Sequence, residues 1–198
     1  MFFPEIEHVV YINLDERTDR RAEVEDQLSP FGSRVERFSA IKNSWGAIGC
    51  SQSHIAVLKL AKERNWGNVL VIEDDFIWKN RPSSESILSE LLEKPYDVIL
   101  LGGAYVKYIP KLHRCIEAQT TTAYLVNSSY YDTMISNFEE GLSHLLEEKD
   151  YGKYALDQWW KQLQRKDRWF IIIPGLATQR PSFSDIEGHF VNYEDAFV

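Results

Sequence analysis

Short apolar runs rich in β-branched residues alternate along this chain with segments of helical periodicity, and this alternation restricts the fold more than any other feature. The runs that predict strands cover residues 8–14, 35–39, 68–72, 97–101, 122–126 and 169–173. The spacing of apolar residues predicts helices over residues 18–29, 51–65, 84–93, 129–146 and 154–164. Strands that are joined through helices pair in parallel. We therefore predict an α/β fold with a single, mainly parallel (mixed) sheet flanked by helices.

The composition predicts one domain and argues against a nucleic-acid partner. The 198 residues contain no internal repeat, low-complexity block or linker, so we expect a single domain over residues 1–198. The net charge of −8 is opposite in sign to what phosphate contacts with a duplex require. The basic residues Arg17, Arg20 and Arg21 do cluster, in a number that suits one diphosphate.

The chain shows no targeting segment that would place it elsewhere than in the cytoplasm. Its first residues lack a basic leader and a small-residue cleavage site, and its apolar runs are far shorter than the roughly 20 residues that span a bilayer. The cysteines, Cys50 and Cys115, are far apart in sequence and form no CxxC or Cys/His ligand spacing, which argues against a zinc site and against a redox pair. A disulfide between them stays open at this stage.

Three acidic residues, Glu73, Asp74 and Asp75, follow the apolar run VLVI directly. Like charges at the end of a buried strand repel each other, so a positive partner is implied. At extended spacing Glu73 and Asp75 point to one side and Asp74 to the other. Oxygen ligands in this arrangement suit Mg²⁺ or Mn²⁺. In open α/β sheets ligands bind at the carboxyl ends of strands, where this cluster lies.

Two other protein classes also place acids after an apolar strand. A phosphoacceptor receiver domain needs its acidic pair after the first strand and an aspartate after the stretch PYDVILL, where this chain has Gly102 and Gly103. That class is excluded on both counts. A metal-dependent phosphohydrolase needs a tidy DxD or His-rich set, which is missing, so it remains a weaker alternative.

The segments VVYINLDERTDRR, IGCSQSH and VLVIEDDF occur in the order and approximate spacing of glycosyltransferase family 25, which this chain resembles over most of its length. TTAYLV and ALDQ continue the match more loosely. The resemblance implies a GT-A type nucleotide-diphospho-sugar transferase fold and an inverting transfer that depends on Mn²⁺ or Mg²⁺. The implied donor is a UDP-sugar, with galactose or glucose as the hexose, and the acceptor is a hydroxyl group.

The resemblance also assigns roles to residues at the strand ends. Asp75 is expected to bind the metal, and Glu73 and Asp74 the metal or the donor ribose, because a cation offsets charge that builds on the leaving diphosphate. The remaining residues expected to bind the donor near the start of the chain are Asn13, Arg17, Arg20, Arg21, Ser53 and His54. Ser53 and His54 are predicted to lie in the first turn of a helix, where free amide groups meet an anion.

The later part of the chain supplies the candidates for catalysis and acceptor binding. Asp157 in YALDQWW is the candidate general base that takes the acceptor proton, and Trp159 and Trp160 are expected to stack on the acceptor sugar. His189 is expected to complete the metal site. The stretch from residue 176 onward is polar and contains His189; we call it the polar tail. In it, Gln179, Ser184 and Asp185 are predicted to contact the donor.

Two questions stay open from sequence. A GT-A transferase of 198 residues is short on the acceptor side, which predicts a small acceptor, a partner protein or a second copy of the chain. The rival to an enzyme is an inactive relative that still binds a nucleotide sugar or serves as a scaffold. Retention of the clustered carboxylates and Asp157 argues against it, because buried charges are costly.

Overall fold

The computed structural model describes residues 3–79, 81–184, 188–193 and 196–197. The helices are α1 (Thr18–Leu28), α2 (Gly46–Glu63), α3 (Pro82–Leu92), α4 (Tyr131–Glu148), α5 (Tyr151–Tyr154), α6 (Leu156–Trp159) and α7 (Lys161–Lys166). The strands are β1 (His8–Asn13), β2 (Val35–Ser39), β3 (Asn68–Glu73), β4 (Phe76–Trp78), β5 (Val98–Leu100), β6 (Ala104–Ile109), β7 (Arg114–Gln119), β8 (Ala123–Asn127), β9 (Trp169–Ile171), β10 (Ala177–Gln179), β11 (Ser182–Phe183) and β12 (Phe190–Val191).

Eight of the strands form one sheet in the order β2-β1-β3-β8-β5-β9-β7-β6. The pairs β1–β2, β1–β3 and β5–β9 are parallel, whereas β8 is antiparallel to both of its neighbours and β7 to both of its own. Six of the eight strands therefore run in one direction, and β7 and β8 run in the other. This confirms the mixed, mainly parallel sheet, and β6 and β7 form an antiparallel hairpin at its edge.

The central strands are apolar throughout because helices cover both faces of the sheet. In β3, Val69 and Val71 belong to one core cluster, together with residues of α2 and α4. Leu70 and Ile72 belong to the other cluster, with residues of α1 and α3. Successive side chains of a strand point to opposite faces, so a strand covered on both sides needs an uninterrupted apolar run.

The helix predicted over 154–164 is wrong in its continuity. The chain forms three short helices there, and the break before α6 falls at Ala155, whose ψ of 155° is extended. The sequence pattern did not predict this break, because the spacing of aromatic and polar residues in this stretch also fits a continuous helix. Nothing in that spacing indicates that Trp160 is buried in the core.

Both cysteines are free thiols, which answers the question of a disulfide. Within the described ranges, no helix has the length and apolar character needed to cross a membrane.

Candidate functional site

A cavity of about 720 Å³ lies at the carboxyl ends of β1 and β3. Its walls come from α2, from the turn after β3, from the connection between β7 and β8, from α5 and α6, and from the end of β10. Parallel neighbours end at the same edge of a sheet, so side chains from distant parts of the sequence meet here. The acidic residues after β3 stand on one wall and Asp157 on another.

Asp74 is held by two residues that were predicted to contact the donor. Asn13 Nδ2, at the end of β1, donates to Asp74 Oδ2 at 2.8 Å, and Arg20 Nη1, from α1, donates to Asp74 Oδ1 at 2.8 Å. The same guanidinium lies 3.7 Å from Asp75 and donates to Ser182 Oγ and Phe183 O. Asn13 and Arg20 thus bind Asp74 and fix the position of residues 73–75, which we call the acidic turn.

Glu73 points away from Asp74, toward α2. Its Oε1 accepts a hydrogen bond from Thr121 Oγ1 at 2.7 Å and lies 3.4 Å from His54 Nε2. Its Oε2 accepts from Gln179 Nε2 at 3.3 Å. Burial acts to raise the pKa of Glu73, but His54 and Thr121 outweigh it and hold the pKa below its usual range.

Asp75 is the carboxylate with unmet bonding capacity. Its Oδ1 is buried and has no hydrogen-bond partner among the described residues. Burial first, and then the charge of Glu73, raise the pKa of Asp75 to about 8. Such a group is stabilised by a proton or by a cation.

Asp157 lies on α6 and lines the cavity. The backbone N–H of Thr120 donates to its Oδ2 at 3.1 Å. Burial, with a contribution from Glu73, raises the pKa of Asp157 above the usual aspartate range, although the Thr120 hydrogen bond acts against this. A carboxylate with a raised pKa is a stronger base.

Several other polar atoms of the cavity wall also lack partners. Arg20 Nε, Thr120 Oγ1 and Gln179 Oε1 are buried without a hydrogen-bond partner in the described parts of the chain. Buried polar groups are nearly always hydrogen-bonded in native proteins. A polar ligand bound in this cavity would satisfy these atoms together with Asp75 Oδ1.

Among the described residues, Cys50, His54 and Glu73 form a group that could hold a metal ion, with one donor atom of each within 4.8 Å of the others. Burial and the nearby Glu73 raise the pKa of the Cys50 thiol well above its usual range, so it is not an activated nucleophile.

The predicted location of Ser53 and His54 in a first helical turn is wrong, because α2 begins at Gly46. Both residues line the cavity from the middle of the helix. Ser53 Oγ donates to Gly49 O and accepts from Ile41 N, so it joins the helix to the preceding loop. Backbone N–H groups in the middle of a helix have intrahelical partners, so none is free at Ser53 or His54 to bind an anion.

Arg17 and Arg21 do not line the cavity. Arg17 pairs with Asp19 at 3.1 Å, and Arg21 pairs with Glu25 at 2.9 Å. Successive residues of a helix point about 100° apart, so Arg20 faces the sheet edge while Arg21 faces solvent. Of the three predicted arginines, the structure brings only Arg20 to the acidic turn.

The predicted role of the tryptophans in acceptor stacking is also corrected. Trp160 is 0% exposed and its Nε1 donates to Ala118 O, which makes it a core residue. Trp159 packs against His144 and Tyr154 in a separate cluster. Neither ring lines the cavity.

The structure brings some of the predicted residues of the polar tail to the cavity but not others. Gln179 and Ser184 line the cavity, as the prediction requires. His189 is exposed in the segment before β12 and does not line the cavity, so the structure does not bring it to the acidic turn. Asp185 lies outside the described residues.

Sequence reasoning missed two exposed aromatic rings and one threonine. Tyr105 is 64% exposed, Tyr151 is 55% exposed, and both line the cavity. Thr121, the partner of Glu73, lies in the connection after β7. Isolated tyrosines and threonines carry no periodic signal, although the position of Thr121 just before a predicted strand was available as a hint.

Comparisons with known proteins identify the fold. No family model and no curated protein matches the chain. The crystal structure of a glycosyltransferase involved in the glycosylation of the major capsid of PBCV-1 matches with a TM-score of 0.54 and 12% identity, over 84% of this chain and 81% of that one. The glycosyltransferase GlyE of Streptococcus pneumoniae TIGR4 matches with a TM-score of 0.46 and 12% identity, over 85% of this chain and 45% of that one. The first of these likenesses shows a GT-A-like fold, as predicted.

Proposed function

We propose that this chain is a glycosyltransferase of the family 25 type that transfers a hexose, galactose or glucose, from a UDP-sugar to a hydroxyl acceptor with inversion. The observation that supports the proposal most is the set of unpartnered polar atoms around the cavity, between the acidic turn and Asp157. The GT-A-like fold supports a nucleotide-sugar donor by analogy.

The residues present fit a divalent cation at Asp75. Its buried, unpartnered Oδ1 and its raised pKa both favour a positive ligand. Mg²⁺ is usually bound through one or two carboxylates plus substrate phosphates, so a full protein cage is not needed, and we extend this to Mn²⁺. When bound, the cation supplies Lewis-acid stabilisation of the leaving diphosphate.

The chain's own residues then have separate roles in donor binding. Arg20 and Asn13 hold the acidic turn through Asp74, and Gln179 and Ser184 face the donor from the polar tail. The unpartnered Arg20 Nε is available to an anionic ligand.

Asp157 accepts the proton of the acceptor hydroxyl. Its place on a wall separate from the acidic turn leaves the cavity between them for the transferred sugar. Tyr105 and Tyr151 replace the tryptophans as the aromatic surfaces on which an acceptor ring packs, because both are exposed and line the same cavity as Asp157.

Thermal shift with UDP and Mn²⁺ tests the donor site. We expect the two together to raise Tm by more than the sum of their separate shifts, because the cation bridges Asp75 and the phosphates. At about 100 times Kd, binding adds about 2.7 kcal/mol, which for this size raises Tm by roughly 5–10 °C.

Asp75→Asn should abolish the synergy and leave the fold intact, whereas Asp132→Asn, an exposed control, should retain it. Merely additive shifts in the unsubstituted protein would contradict the shared site. UDP release from UDP-galactose or UDP-glucose with hydroxyl acceptors then tests transfer. Donor binding without transfer to any acceptor would favour the inactive binding protein.

A further inference from the structure

The side chains of Cys50, His54 and Glu73 meet in the wall of the cavity although they come from two elements. Cys50 and His54 are four residues apart on α2, so they lie on one face of the helix. Glu73 ends β3 and faces them. Its Oε1 lies 3.4 Å from His54 Nε2 and 3.9 Å from Cys50 Sγ.

The separation between His54 Nε2 and Glu73 Oε1 is long for a direct hydrogen bond, whereas Cys50 Sγ lies at the distance of a weak S–H···O contact with the same oxygen. N–H···O bonds cluster near 2.9–3.0 Å, shorter than the separation between His54 and Glu73. Zn–N, Zn–O and Zn–S bonds of about 2.0–2.3 Å place tetrahedral ligand atoms roughly 3.3–3.8 Å from each other. The 3.4 Å separation falls in this range and the 3.9 Å separation lies just above it, so the three groups are spaced closely enough to hold a cation.

Outer contacts orient two of the three groups. His54 Nδ1 lies 2.7 Å from Tyr124 Oη, which leaves Nε2 to face the other two side chains. Thr121 Oγ1 holds Glu73 at 2.7 Å. Metal-binding histidines are commonly fixed in this way through their second ring nitrogen.

We propose that Cys50, His54 and Glu73 form a binding site for a thiophilic divalent cation of the Zn²⁺ class. Thiolate and imidazole favour Zn²⁺ over Mg²⁺ and Mn²⁺, which prefer oxygen. Three protein ligands leave a fourth position open, and all three residues line the cavity, which provides the entry path. On binding, a Zn–S bond forms and the thiol proton passes to the buffer.

This site is distinct from the oxygen site proposed at Asp75. The sequence predicts no zinc site, because neither cysteine forms a CxxC or Cys/His ligand spacing. In the structure, the proposed ligands Cys50 and His54 lie four residues apart on α2, beside Glu73. A cation at Glu73 would repel a second cation at the adjacent turn, so Zn²⁺ should inhibit Mn²⁺-dependent transfer; this consequence rests on the proposed function.

Titration of the purified, metal-free protein with Zn²⁺ alone, in competition with a chelator, tests the site. We expect one high-affinity Zn²⁺ per chain, and Co²⁺ as a spectroscopic probe should give a thiolate-to-metal charge-transfer band. Cys50→Ser is nearly isosteric and should weaken Zn²⁺ binding by about 100-fold or more, beyond the loss caused by removing an outer partner, and abolish the band.

The matched control is Cys115→Ala, which removes the other thiol and should leave the affinity and the band unchanged. His54→Gln should reproduce the loss in a second variant, with circular dichroism to confirm folding. Asp75→Asn should keep Zn²⁺ binding even if UDP and Mn²⁺ fail to bind, which separates this inference from the proposed function. No high-affinity Zn²⁺, or equal affinity in Cys50→Ser, overturns the proposal.

Discussion

At the scale of single residues, Asp157 combines a raised pKa with a fixed orientation. Burial raises its pKa, and the hydrogen bond from Thr120 N holds one carboxylate oxygen. The other oxygen is thereby left for an acceptor hydroxyl. The motif ALDQ identified Asp157 as the candidate base, but neither its raised pKa nor its fixed orientation can be inferred from that motif.

Asp157→Asn should reduce transfer by about 100-fold or more, the scale of losing a general base. Asparagine retains an oxygen that accepts from Thr120 N, so UDP and Mn²⁺ should still shift Tm as before. Initial rates of UDP release with saturating donor measure the effect. Turnover close to that of the unsubstituted protein would assign the base to another residue.

The same residue predicts a pH dependence. The base acts when deprotonated, and burial raises its pKa above 3.8, so transfer should increase with pH through that raised value. In Asp157→Asn the acid limb should disappear. An acid limb that persists in the variant would belong to another group.

Tyr105→Ala and Tyr151→Ala should raise the acceptor KM while leaving the donor KM unchanged. If stacking on a sugar resembles that between aromatic side chains, worth about 0.5–1.5 kcal/mol, each loss should be roughly 2–10-fold. Replacement by Phe keeps the ring and should retain the affinity. Leu112→Ala, an exposed apolar residue outside the cavity wall, is the control. A rise in donor KM instead would place these rings at the nucleotide.

At the scale of elements, the acidic turn and β10 are held in place by close backbone packing. Leu176 N and Ala177 N both donate to Leu101 O, and β10 pairs with β4, the strand after the turn. This packing carries Gln179 to Glu73. It depends on Gly102, because a Cβ there would lie 2.2 Å from Ala177 O.

Gly102→Ala should therefore lower stability by about 1–3 kcal/mol, the usual cost of overpacking, or roughly 2–12 °C in Tm. Donor binding should weaken as well, because β10 shifts. Gly152→Ala is the control, since its Cβ would meet Asp150 Oδ1 at an ordinary 3.4 Å. Equal melting temperatures for the two variants would refute the close-approach argument.

At the scale of the whole molecule, the periodicity of the sequence predicted most helices and strands, but it did not predict which strands pair with each other or in which direction. The apolar run of β3 and the acids after it placed the site, because a strand buried on both faces has an unmistakable composition. The antiparallel insertion of β8 between β3 and β5 was not predictable, since strand direction depends on connections rather than on the strand's residues.

The aromatic residues show the limit most clearly. Trp160 and Tyr151 lie in one aromatic-rich stretch, yet one is in the core and the other at the cavity. Ala155, which has an extended backbone, separates them, and no residue near it in the sequence indicates that the helix breaks there. The roles of Arg17 and Arg21 likewise depended on a helix orientation that tertiary packing decides.

The contact between Arg20 and Phe183 spans 163 positions of the sequence. Ribosomes add about 5–20 residues per second, so roughly 8–30 s separate the synthesis of these two residues. Until β11 has been synthesised, Arg20, which binds the acidic turn, lacks its hydrogen bonds to Ser182 and Phe183. Gln179 is added only a few residues before that strand. Most of the sheet can therefore be synthesised before the last side chains of the cavity wall are added to the chain.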